Sequence, residues 1–201
     1  MNLKHRAEEI LGIQKEAIQN LETSNSWLKS IELIKSVAEN RGRIITTGMG
    51  KAGIIGNKMS ATLASVGIPS FYVHPAESLH GDLGRIASGD LVVVFSHSGS
   101  TTEVQNMISQ LNTLNCNNNT IILISGSKKP SISHTHLISY GEIEESSVVK
   151  KVPSTSTTIM LIIADVLAIT SAESLGFNDE WFKKRHPGGA IGKSYENTEN
   201  H

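Results

Sequence analysis

The stretch Leu91 to Glu103, LVVVFSHSGSTTE, sets five hydroxyl side chains, Ser96, Ser98, Ser100, Thr101 and Thr102, within seven residues of one another. They follow Val92, Val93 and Val94, a run without polar alternation, as in a strand covered on both faces. They precede Val104, Met107, Ile108 and Leu111, which recur at helical spacing. A strand, a small-residue turn and a helix start together point backbone N–H groups and the positive end of a helix dipole at an anion. The hydroxyls add donors without bulk, and a phosphate monoester fits that description better than any other common ligand. A Ser/Thr turn can also simply cap a helix, but a cap needs one hydroxyl.

Gly48-Met49-Gly50-Lys51-Ala52-Gly53 matches G-x-G-x-x-G after a strand. A dinucleotide site would want an acidic residue at the end of the next strand, for the ribose hydroxyls. That strand ends Tyr72-Val73-His74, with no acid until Glu77. The P-loop pattern fails too, because Ile45 stands where its first glycine belongs. Gly48 and Gly50 are therefore expected to let a sugar chain approach the backbone. Lys51 would supply a point charge there, or else be an ordinary solvated lysine at a helix start.

His80 lies in His74–Gly84, HPAESLHGDLG, longer than the roughly two to six residues a plain connector needs. It can titrate near neutrality, as ring opening or proton transfer requires, although a lone loop histidine is often a surface hydrogen-bonder. Glu103 and Glu145 are candidate bases for removing a proton next to a carbonyl. For Glu103, dipole compensation in the first turn of a helix is the competing reading. Ser154, Thr155 and Ser156, after Pro153, form a second hydroxyl-rich helix start, either a further anion or sugar contact or a good cap. Arg185–Gly192, RHPGGAIG, is glycine-rich past the last helix; it either reaches, ordered, into a neighbouring subunit's site or is a disordered segment. The scattered histidines, His74, His80, His134, His136 and His186, make no metal-ligand spacing, so no metal is expected.

These groups must be carried by a chain of 201 residues with a net charge of −1, a balance that suggests neither a nucleic-acid nor an acidic-membrane partner. The single cysteine, Cys116, suits a reducing cytosol, and the N-terminus lacks the apolar core of a signal peptide. The longest apolar run, Ile159 to Ala164, stops at Asp165, short of the roughly 20 residues of a membrane span. A soluble, cytoplasmic protein is expected.

Periodicity predicts amphipathic helices over residues 3–21 and 27–38, the first carrying Ala7, Ile10, Leu11, Ala17, Ile18 and Leu21 on one stripe. Strands are predicted over 43–47, 70–73, 90–95, 121–125 and 136–140, and helices from the Gly48–Lys51 turn to about Val66 and over 101–114, 155–175 and 177–184. Residues 74–85 read as polar and rich in special residues, and 128–130 as the start of a short helix or turn. The alternation argues for a three-layer α/β/α sandwich with a five-stranded parallel sheet, Rossmann-like or flavodoxin-like. Ligands in such sheets bind beyond the carboxyl ends of the strands. The expected organisation is one domain over 1–193, with a helical prefix to residue 40 and an α/β core over 41–193, then a polar tail, 194–201. The prefix must bury its stripe somewhere, and a subunit partner would serve.

Taken together, Gly48-Met49-Gly50-Lys51, the HGDLG at His80–Gly84, the S-x-S-G loop at Ser96–Gly99, the STSTT at Ser154–Thr158 and the HPGGAIG at His186–Gly192 resemble the sugar isomerase (SIS) domain, over about residues 5–193. More closely, they are similar to D-arabinose 5-phosphate isomerases. The resemblance implies a tetramer with sites between subunits. It also implies interconversion of D-ribulose 5-phosphate and D-arabinose 5-phosphate by ring opening and proton transfer through a cis-enediol(ate), without a cofactor. By matching motif, Lys51, His80, Glu103, Glu145 and His186 would be the catalytic positions, and Ser96, His97, Ser98 and Thr101 would hold the phosphate. Related SIS proteins act on hexulose or heptulose phosphates, or bind a sugar phosphate as regulators. Two departures stand out. Such isomerases carry paired CBS domains after HPGGA, where this chain stops, so regulation through them is not expected. Where they have a Cys-Pro-Leu-Gly-like run, this chain reads Ser146–Val152, SSVVKKV.

Overall fold

Short apolar runs form β1 (Ile44–Gly48), β2 (Ser70–Tyr72), β3 (Leu91–Phe95), β4 (Thr120–Ser125) and β5 (His136–Ser139). All neighbours pair in parallel, in the order β2-β1-β3-β4-β5. This computed structural model describes residues 2–114, 119–186 and 188. Cys116, Pro187, the glycine-rich residues 189–192 and the 194–201 tail lie outside the described residues.

Every residue of β1 and β3 is buried, as unalternating strands require. Successive side chains of β3 then divide between the two faces of the sheet. Leu91, Val93 and Phe95 join Ile44, Ile122 and Ile124 on one face. That face is covered by α2 (Asn25–Glu39), α3 (Gly50–Ser65) and α6 (Thr155–Ser174), through Trp27, Ile34, Met59, Leu63, Ile159 and Ile163. Val92 and Val94 join Ile45 and Leu123 on the other, beneath Val104, Met107, Ile108 and Leu111 of α5 (Thr102–Thr113). At the amino end of the sheet, Asp90 is buried and accepts hydrogen bonds from the Arg43 guanidinium, the Arg43 N–H and the Ala87 N–H.

Three features depart from the sequence expectations. The polar segment 74–85 holds helical turns that the sequence did not announce: Pro75 opens a one-turn helix, α4 (Pro75–Ser78), and a 3-10 helix follows over Asp82–Arg85. The polar composition concealed two buried anchors, Leu83 and Ile86, which pack into the core on the α5 face. At 128–130 there is a bend and no helix. Finally, α6 is 20 residues long and, by length and composition alone, apolar enough to cross a membrane. Counting an uninterrupted run stopped too early at Asp165, which in the fold pairs with Lys58 of α3. More than half of the helix window is buried inside the chain, including Ile159, Ile163, Leu167 and Ala168, as befits a core helix.

The first helix, α1 (Leu3–Gln19), buries none of its residues and leaves Leu3 and Leu11 mostly exposed. It is tied to the body by the Arg6 guanidinium, which donates to the Ser146 carbonyl, and by Gln14 Oε1, which accepts from Thr158 Oγ1 at 3.0 Å. After α6 the chain ends its described part in α7 (Asp179–Arg185), whose Arg185 guanidinium packs on Gly67 at the amino end of the sheet.

The third glycine of G-x-G-x-x-G serves packing. A side chain at Gly53 would press into the Gly48 carbonyl and stand 2.6 Å from the Tyr72 hydroxyl, which itself donates to the Gly48 carbonyl at 2.6 Å. Gly53→Ala should force α3 off β1 and cost about 1–3 kcal/mol in urea unfolding. A change within about 0.5 kcal/mol, as at an ordinary surface position, would contradict this packing.

Candidate active site

The connections leaving β1 and β3 diverge: β1 runs through α3 to β2 on one side, and β3 through α5 to β4 on the other. The crevice at such a switch point is where open parallel sheets bind ligands. Here it holds a cleft of about 250 Å³ that includes the first turns of α3 and α6 and Thr101, the N-cap of α5. Met49, Lys51, Ser96, His97, Ser98, Thr101, Ser156 and Thr157 are among its walls.

None of the three N-cap residues, Met49, Thr101 and Ser154, makes a side-chain cap hydrogen bond. The first N–H groups of each helix have no intrahelical acceptor. Thr101 Oγ1 is instead paired with Ser96 Oγ at 2.9 Å, so both hydroxyls sit at the mouth of α5. The loop between them is fixed from behind. Gly99 adopts a φ of 65°, donates to the Ser96 carbonyl at 3.2 Å and accepts from Ser131 and Ile132 N–H at 2.8 and 3.0 Å. Gly50 also has a left-handed φ, 58°, with open space where a side chain would be, whereas Gly48 is closed in by the Phe95 carbonyl. Of the two glycines expected to admit a sugar, only Gly50 offers room. Lys51 is exposed at the start of α3 and has no carboxylate partner among the described residues.

Glu145 stands behind the α6 wall. Its Oε2 accepts from Ser154 N–H at 2.8 Å, Ser154 Oγ at 2.9 Å and Ser156 N–H at 3.3 Å. Burial disfavours its charge, but the hydrogen bonds from Ser156 and Ser154 outweigh that and hold its carboxyl below the usual carboxylate range. Ser154 is thereby turned to Glu145, Thr155 is fully buried with an unpartnered hydroxyl, and Ser156 alone of the three reaches the cleft. Glu103 is exposed in the first turn of α5, two residues beyond Thr101, with no hydrogen bond or ion pair to the described residues. His80 is exposed after α4, whose helix packs on α5, and it does not line the cleft. His186 ends α7, stacked on Phe182 with centroids 3.9 Å apart, at the opposite edge of the sheet. One chain therefore gathers Lys51, Ser96, His97, Ser98, Thr101 and Ser156, and keeps the two histidines elsewhere.

Sequence reasoning passed over Tyr140, whose hydroxyl lies 2.8 Å from His97 Nδ1. Burial and the nearby Glu145 charge push its phenol well above the ordinary value. Its one legible signal was its place just past β5, at the carboxyl edge shared by the other site residues.

The family model described as the SIS domain matches residues 37–169. An arabinose 5-phosphate isomerase from Pseudomonas aeruginosa is 36% identical over 193 residues, covering 94% of this chain and 57% of its own length. An arabinose 5-phosphate isomerase from Escherichia coli is 36% identical over 185 residues, covering 91% of this chain and 56% of itself. The chain thus spans a little over half the length of the curated relatives it matches. Among solved structures, a Bacteroides fragilis chain described as a proposed phosphosugar isomerase of capsule formation superposes with a TM-score of 0.90 at 32% identity, covering 94% of this chain and 99% of that one. An E. coli CFT073 protein in complex with arabinose 5-phosphate gives 0.83 at 31% identity, covering 93% and 100%.

The Glu145 network has a pH signature. An unfolded glutamate takes up its proton near 4.5, and the folded one only at lower pH. Its stabilisation is therefore complete above about pH 5 and is lost as pH falls through the folded-state value. Glu145→Gln should lower stability at neutral pH by about 1–3 kcal/mol. It should also flatten the loss of stability between about pH 5 and 3 in denaturant titrations. An unchanged acid limb would remove this role for Glu145.

Proposed function

The chain belongs to the SIS-domain family, and we propose that it is a sugar-phosphate aldose–ketose isomerase interconverting D-ribulose 5-phosphate and D-arabinose 5-phosphate. The observation that carries this reading is the cleft itself, where the starts of α3 and α5 without side-chain caps, several hydroxyls and a lysine unpaired among the described residues meet at the switch point of the sheet. The names of the curated relatives, and the arabinose 5-phosphate complex of a structural neighbour, select the pentose phosphate.

In this reading the phosphate rests on Ser96, His97, Ser98, Thr101 and the first N–H groups of α5. Lys51 lies across the cleft, where it polarises the carbonyl and stabilises enediolate charge. After ring opening, a base takes the proton from C2 of the aldose while O1 gains one. The proton returns to C1 as O2 gives up its own, so no redox cofactor enters the balance. Glu103 suits the base: its carboxylate is unengaged, whereas Glu145 already accepts three hydrogen bonds and is the poorer proton acceptor. His80 and His186 would supply ring opening from neighbouring subunits of a cytoplasmic homotetramer. Neither histidine lines this chain's own cleft and α1 has no fully buried residue, which supports such an assembly.

Purified protein given D-arabinose 5-phosphate without cofactor should form ribulose 5-phosphate at about 1 s⁻¹ or faster. Binding without turnover would instead make it a sugar-phosphate sensor. Glu103→Gln should lower kcat by about a hundredfold or more, and Glu145→Gln by clearly less; the reverse order would exchange their roles. Inactive Lys51→Met and His186→Asn chains, refolded together, should regain activity if the site is shared between subunits, and remain inactive if it is not.

A further inference from the structure

His97 belongs to the cleft, yet its ring is held by two residues that do not line that cleft. Three neighbouring strands deliver the group: His97 follows β3, Gly126 follows β4 and Tyr140 follows β5. The His97 carbonyl accepts from Gly126 N–H at 3.1 Å and from Ser125 Oγ at 3.1 Å, which fixes the backbone. The imidazole and phenol rings lie nearly parallel, at 19° with centroids 5.9 Å apart, and the Tyr140 hydroxyl is 2.8 Å from Nδ1. A side chain at Gly126 would stand 2.7 Å from Nδ1 and 2.8 Å from Cε1, so only glycine leaves the ring in this place.

We propose that Tyr140 and Gly126 are positioning residues that hold His97 as a neutral imidazole with its proton on Nε2, so that it offers an N–H donor to the substrate phosphate. Counting donors and acceptors selects that tautomer. Among the described residues, Nδ1 is the sole partner of the Tyr140 hydroxyl. If Nδ1 carried the proton, the phenol would accept and its own hydrogen would have no protein acceptor among the described residues, in a half-buried place. With the phenol donating, Nδ1 is the acceptor and Nε2 is the nitrogen that bears hydrogen. Burial and the Glu145 charge raise the phenol's pKa further, so its hydrogen is retained and available to donate. The ring of an exposed histidine would otherwise sample several rotamers. Fixing it beforehand removes an ordering cost that the ligand would have to meet. The phosphate contact rests on the function proposed above; the state of the ring does not.

The two parts can be separated by experiment. In full-length protein labelled with ¹⁵N-histidine, long-range ¹H–¹⁵N correlation should show His97 as the Nε2–H form, its signals assigned by their loss in His97→Asn. Tyr140→Phe, which keeps the ring and removes the hydroxyl, should change that pattern. It should also weaken binding of inorganic phosphate, and raise KM for D-arabinose 5-phosphate, by about three- to tenfold, with kcat within about twofold. Gly126→Ala should act in the same direction by displacing the ring. A proton on Nδ1 in the wild type, or a Tyr140→Phe protein with unaltered His97 signals and phosphate affinity, would overturn the proposal, as would an absence of phosphate binding to both proteins. Were the wild type to bind phosphate but not turn over the sugar, the isomerase assignment alone would fall.

Discussion

An α-helix begins with N–H groups that its own turns cannot satisfy, and here the beginnings of α3 and α6 and the N-cap of α5 border one cleft, none of them capped by its own N-cap side chain. Their dipole ends carry the same sign, so the arrangement favours negative charge at the point where they meet. Glu145 supplies part of that charge from within, through the Ser154 and Ser156 N–H groups of α6. The helices left without such a partner are α3 and α5, and these are the two that follow adjacent strands. The chemistry of the cleft, its hydroxyls and its lysine, follows from that division.

The sheet makes the convergence possible. Parallel strands place every strand-to-helix turn at the same edge, and the reversal of direction between β1 and β3 opens a crevice there. Close approach of helix to strand is then enforced by absent side chains, at Gly53 against the Gly48 carbonyl and at Gly48 against the Phe95 carbonyl. Thr46 and Thr47 are buried in β1 without penalty because their hydroxyls donate to the Gly56 and Val73 carbonyls at 2.7 Å each. The strand that carries the G-x-G turn is thus locked laterally to the helix and the strand beside it.

The ionisable groups divide by their surroundings. Glu145 is buried and accepts three hydrogen bonds on Oε2, whereas Glu103 and Lys51 are exposed and their side chains unengaged among the described residues. His97 falls between these extremes, open to the cleft on one side and pinned by Tyr140 and Gly126 on the other. The helical prefix contributes indirectly, since α1 grips the Ser146 carbonyl and Thr158 on either side of the Glu145 network.

The strands, the long helices and the clustering of hydroxyls at the start of α5 were legible in the residues alone, because each is a local matter of period, burial and hydroxyl density. The helices within 74–85 were not, since Leu83 and Ile86 are too sparse to show a period, nor was Tyr140, which touches His97 across 43 residues of chain. Packing in three dimensions settled which hydroxyls of Ser154–Ser156 face the cleft, that Glu145 caps α6, and that Lys51 lines the cleft while His80 and His186 do not. Those outcomes depend on side-chain direction and on contacts between distant strands. Local pattern constrains which residues are polar at a helix start, and packing alone selects the partner each one meets.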